Sequence, residues 1–145
     1  MVKVETSIVI NRPVGEVFEY VSNPENNPQY ESAVIEAKKT SAGPMSVGST
    51  WREVRQFMGR RIESINEVTE YQPNKKIAFK TKSGPIPAEG SYTFEAVDGK
   101  TKLTVIGQGE TGGFFKIADP LVARMVKRDL ETASANLKDL LEAQA

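Results

Sequence analysis

From residue 49 to residue 109 the chain alternates apolar and polar residues between short turn signals, and one long amphipathic run follows. That order constrains the fold more than any other feature. Residues 49–57, 60–71, 76–82, 86–96 and 101–109 read as strands. Met58-Gly59, Pro73-Asn74, Gly84-Pro85 and Asp98-Gly99 punctuate them. Strands joined by hairpins form an antiparallel sheet, and such a sheet needs one face covered. Asp119-Pro120 reads as an N-cap and first helical residue. Beyond it Leu121, Val122, Met125, Val126, Leu130, Ala133, Leu137, Leu140 and Leu141 form one apolar stripe. A helix of about 24 residues, roughly 36 Å long, is the only large cover available.

The first third of the chain supplies smaller pieces. Val4, Ile8 and Ile10 share one parity against Lys3, Glu5 and Ser7, which predicts a half-buried strand over 2–10. Pro13 then opens a helix over about 13–21 that carries Val14, Val17, Phe18 and Val21 at helical spacing. Asn23-Pro24-Glu25 repeats the start signal, and Pro28 is expected to end that element within a turn. Residues 31–40 read as a strand centred on Val34 and Ile35, and a loop follows to Gly48. No repeat or linker interrupts the 145 residues, so residues 1–145 are read as one α+β domain.

Composition excludes several chemistries. Lys plus Arg and Asp plus Glu number 19 each, giving zero net charge, which argues against a nucleic-acid partner. The chain has no Cys, so disulfides and thiolate chemistry are absent. It has no His, which removes Ser-His-Asp and Cys-His catalysis and the commonest metal ligand. The first residues lack the apolar run of a signal peptide, and no 18-residue apolar stretch exists. The expectation is a cytoplasmic protein without an integral membrane segment.

Two motifs carry a family resemblance. One is Ile10-Asn11-Arg12-Pro13-Val14-Gly15-Glu16-Val17-Phe18-Glu19-Tyr20-Val21, a strand end and a helix-opening Pro followed by Val-Phe. The other is Asn23-Pro24-Glu25-Asn26-Asn27-Pro28-Gln29-Tyr30, in which Asn and Tyr stand where the family has Asp and Trp. With the segments at 47–51, 66–70 and 90–94 in order, the chain resembles the START-related polyketide cyclase and lipid-transfer superfamily (SRPBCC) over its full length. The resemblance implies a helix-grip fold: a curved antiparallel sheet of about seven strands around a long C-terminal helix, with two short helices after strand 1. It implies a cavity for a small hydrophobic or amphipathic ligand that is lipid-, polyketide- or aromatic-like. It leaves open a cyclase/aromatase-type enzyme and a co-chaperone-like interaction module, since fold does not fix function. The sequence implies no cofactor and no metal, and leaves a homodimer open.

The turns set the strand register. With Asp98-Gly99 as a two-residue loop, Val97 pairs with Lys100, Phe94 with Leu103, Tyr92 with Val105 and Gly90 with Gly107. With Met58-Gly59 likewise, Trp51 opposes Asn66, Glu53 opposes Ser64 and Arg55 opposes Ile62. Arg52, Arg61, Glu63 and Glu67 then face solvent, and Trp51, Glu53, Phe57, Ser64, Asn66 and Val68 face inward. A slip of one residue would reverse the set. The predicted ligand contacts are Glu53, Ser64, Asn66, Thr81 and Tyr92 as polar groups. Trp51, Phe57, Phe79, Phe94, Leu121 and Met125 are the predicted walls. Gly90 and Gly107 are expected to leave room under the helix. Gly107-Gln108-Gly109-Glu110-Thr111-Gly112 spells G-x-G-x-x-G, but no second parallel strand follows, so no dinucleotide site is expected. The glycines there, with Gly113, are expected to let the chain leave the sheet, and mobility over 107–118 is expected to open the cavity.

Overall fold

The computed structural model describes residues 2–57, 59–109 and 119–144. Strand β1 (Val2–Ile10) is followed by helix α1 (Val14–Val21), a 3₁₀ turn (Pro24–Asn26) and helix α2 (Asn27–Tyr30). Strands β2 (Val34–Lys39), β3 (Thr50–Phe57), β4 (Arg60–Gln72), β5 (Lys76–Ser83), β6 (Ala88–Val97) and β7 (Lys100–Gly109) come next, and helix α3 (Asp119–Ala143) ends the chain.

The seven strands form one antiparallel sheet in the order β1-β7-β6-β5-β4-β3-β2. Both expected hairpin registers hold. Asp98 and Gly99 have φ of 51° and 77°, the double left-handed geometry of a type I′ turn, and Val97 pairs with Lys100. At the other hairpin Trp51 pairs with Asn66, Glu53 with Ser64 and Arg55 with Ile62. Arg52 and Glu63 meet on the outer face at 2.7 Å. The pairing of β4 with β5 shifts between Ile65 and Asn66 and again between Val68 and Glu70. Such bulges bend a strand, and they help the long β4 curl the sheet.

Some boundaries depart from expectation. Pro28 does not end an element; it sits in the first turn of α2, where a missing N–H costs nothing. β2 starts at Val34 rather than 31, because Glu31 N–H closes α2 on Asn27 O (2.9 Å) and Val34 N–H bonds Glu31 O (3.0 Å). β6 begins at Ala88, not 86, since Pro85 and Pro87 cannot donate to a ladder. The Met58 corner, residues 110–118 with the remainder of the glycine run, and the side chain of Asp119 lie outside the described residues.

α3 lies along β1 on the concave face of the sheet. Ile10, Leu103 and Leu137 are buried to 0–1% exposure at the centre of the core, and α1 adds Val17, Phe18 and Val21. Val122, Ala133, Leu137 and Leu141 are the deeply buried apolar positions of α3, and Ser134 is buried beside them. Leu121 and Met125, read above as part of the same stripe, are 51% and 43% exposed. At 100° per residue they fall on the far side of the helix from Val126 and Leu130. No described helix is long and apolar enough to cross a membrane.

Candidate functional site

Between α3 and the concave face lies a cavity of about 250 Å³. Inward-facing positions recur at every second residue, so a strand that lines the cavity does so with alternate residues. β3 supplies Trp51, Glu53 and Phe57; β4 supplies Ser64 and Asn66; β5 supplies Phe79 and Thr81; β6 supplies Tyr92. All eight are among the contacts and walls expected from the sequence. The exposed Ala88 and Glu89, with Gln108 and Gly109, bring the lining out to the surface.

Three expected walls are not there. Phe94 has the right parity but lies one pair beyond the cavity, edge-on against Phe18 at 5.1 Å in the core. Leu121 and Met125 face away, and Val122, Val126 and Leu130 take their place. The apolar run of α3 was wide enough to be centred on either side.

Among the lining residues that the register did not pick out are two charged ones, Glu31 and Arg55. Arg55 shares the inward parity of Glu53 and Phe57, which was the available signal. Glu31 lies in the turn that closes α2, where no periodicity applies. Arg55 bridges two carboxylates: Nε donates to Glu53 Oε2 (3.2 Å) and Nη2 to Glu31 Oε2 (3.4 Å). The glutamate side chains are 10% and 8% exposed and the arginine 34%.

This arrangement decides the protonation states. Burial raises Glu31 above the usual carboxylate range; Arg55 pulls it back only in part, and Glu53 adds to the rise. Burial works against the Arg55 charge, but Glu53 and Glu31 more than offset it and hold the guanidinium protonated. Burial pushes both Tyr92 and Tyr30 up; Glu31 adds to the rise at Tyr92, and at Tyr30 the neighbouring Tyr92 adds to it before Glu31 does, so both phenols stay neutral. Tyr30 donates to Asn27 Oδ1 at 3.1 Å, and its hydroxyl adjoins that of Tyr92. The result is a charged and phenolic cluster set into a mostly apolar chamber, the usual composition of a small-molecule site.

The aromatic wall is tightly interlocked. Trp51 meets Phe79 edge-on at 5.5 Å, and Phe79 tilts against Tyr92 at 5.9 Å. Trp51 Nε1 is buried with no hydrogen-bond partner among the described residues. Gly90 does not simply leave space, as its sequence position suggested. It pairs with Phe79, whose ring covers it so closely that a Cβ at 90 would lie 2.7 Å from Phe79 Cζ. At Gly107 a Cβ would meet Leu130 and Val4 at an ordinary 3.9 Å. Gly90→Ala should therefore displace the Phe79 ring and lower the unfolding free energy by about 1 kcal/mol, an overpacking cost partly offset by the better strand former. Trp51 emission should shift with it. An unchanged spectrum would show that Phe79 does not rest on Gly90.

A family model for polyketide cyclase / dehydrase and lipid transport matches residues 1–142. Among solved structures, a START superfamily protein from Mycobacterium smegmatis superposes with a TM-score of 0.84 at 16% identity, over 99% of both chains. A protein of Thermus thermophilus gives 0.82 at 18% identity, again over 99% of both. The di-domain ARO/CYC BexL gives 0.76 at 19% identity, covering 98% of this chain and 47% of its own. No curated protein matches the sequence.

Proposed function

The chain belongs to the polyketide cyclase/dehydrase and lipid transport family, and we propose that it binds and carries a small apolar or amphipathic molecule in the chamber between sheet and α3. The observation that carries this reading is a chamber of about 250 Å³ with aromatic and aliphatic walls and one charged cluster. That space holds roughly eight waters, so a single-ring or short-chain molecule fits and a two-chain lipid does not. Burying its apolar surface supplies affinity, at about 25 cal/mol per Å². The polar cluster supplies orientation.

Native mass spectrometry of the purified protein, with organic extraction, tests the reading. A stoichiometric adduct is expected, lost on denaturation. Val126→Phe, which projects a ring into the chamber from α3, should weaken rebinding of the released compound by roughly tenfold or more. Equal binding by that variant would place the ligand elsewhere. A second reading, a cyclase-type enzyme working in the same chamber, draws on one observation: Glu31, a cavity carboxyl, is raised toward the range where a proton can be exchanged. Turnover would show in the same experiment as a changed mass of the extracted compound.

A further inference from the structure

The charged cluster carries one acid more than it has base. Glu31 and Glu53 share the single guanidinium of Arg55. The other charged group that acts on Glu31 is Asp129 of α3, which is negative as well. Arg55 engages only one oxygen of each carboxylate. Glu31 Oε1 and Glu53 Oε1 have no hydrogen-bond partner among the described residues, although both side chains are nine-tenths buried. Neither oxygen is sealed off by protein, and both residues line the chamber. In its ionised form a carboxylate accepts only, so these oxygens then call for a donor. The neutral phenol of Tyr92 beside them can accept as well as donate.

From this we infer that the chamber selects small apolar molecules with a donor-rich, cationic head, namely alkyl or aryl amines, and discriminates against carboxylates. The inference rests on the binding reading above and names the class of ligand for that same chamber. An ammonium head replaces its lost water with the two open oxygens, a charge-assisted pairing. A carboxylate head would instead meet two carboxylates at close range in a poorly solvated space. The hydroxyls of Tyr92, Ser64 and Thr81 and the amide of Asn66 can donate to it as neutral groups, and the one cation that favours it, Arg55 with its uncommitted Nη1, has its charge already shared by two acids. The overall charge of the protein is zero, so a preference of this kind reports the chamber and not the general field of the molecule.

Octylamine, 1-octanol and octanoate carry one chain with three heads, and each can be titrated calorimetrically into the purified protein at neutral pH. The expected order is amine tighter than alcohol tighter than carboxylate, with about tenfold or more between the extremes. Octanoate binding as well as octylamine, or better, overturns the inference and leaves the binding reading intact. Failure of all three to bind overturns the binding reading, and the inference falls with it. Glu53→Gln and Glu31→Gln each remove the excess acid while keeping shape. In whichever variant retains octanol affinity, and so an intact chamber, the amine should fall to within about threefold of the alcohol. An amine advantage that survives in both variants overturns the assignment to this cluster.

Discussion

Leu137→Ala should lower the free energy of unfolding by about 3–4 kcal/mol, measured by urea denaturation. Leu137 is 1% exposed and sits where α3 presses into the sheet, among Tyr30, Leu103, Val105 and Ala133. A void of about 10 Å³ already lies in that contact. The neighbours on the sheet are strand residues held by ladders on both sides, so they cannot collapse into the space a truncation leaves. The cost is then the lost transfer energy plus most of the cavity term. Leu121→Ala on the same helix is the control. With half of its surface in water, it should cost no more than about 0.5 kcal/mol. Similar losses at the two positions would mean that the helix is not held by the face described.

Arg55→Met should cost about 2–3 kcal/mol at neutral pH. Removing one partner of a fully buried pair typically costs about 3–5 kcal/mol, and a third of the Arg55 side chain is open to water. The loss comes from two buried carboxylates left facing each other. Its pH dependence has a definite sign. Burial raises the folded-state pKa of Glu31 above its ordinary 4.5, so the folded protein holds a proton that the unfolded chain releases. Stability tied to that group is complete below 4.5 and falls as pH rises through the raised value. Without Arg55 the rise is larger, because the opposing attraction is gone. The deficit of Arg55→Met relative to the parent should shrink as the pH falls from neutrality toward 4.5. A deficit equal at both ends of that range would mean that lost packing of the arginine stem, not unpaired charge, accounts for it.

The sheet was legible because hairpin turns convert local sequence into register. Asp98-Gly99 is a signal read from two residues, and everything from Val97–Lys100 to Gly90–Gly107 follows by counting. The same counting placed Trp51, Glu53, Ser64 and Asn66 on the concave face. Parity tells which face a residue takes but not how far along the strand the chamber extends, which is why Phe94 was included. α3 offers no such ruler. Its apolar residues spread from Leu121 round to Leu141, and only packing against β1 chooses Val122, Val126 and Leu130 over Leu121 and Met125. Arg55 was passed over because a charge on an inward row reads as an exception, and only one of its two partners, Glu53, is close in sequence. Its partner Glu31 is brought in by a one-turn helix from another part of the chain.

β1 pairs with β7 alone among the strands, Val2 opposite Gly109 and Ile10 opposite Thr101. That pairing is expected to form last. The β3–β4 and β6–β7 hairpins join near neighbours and can form within microseconds. The β1–β7 seam joins segments about a hundred residues apart and must meet the loop entropy of nearly the whole chain first. Until then Val2, Val4 and Ile10 stand on an unpaired apolar edge, the kind of surface through which partly folded chains associate. Val2 and Val105 on the two sides of the seam also line the chamber. A chain still short of β7 on the ribosome therefore has hairpins but no container, and ligand capture belongs to the last act of folding.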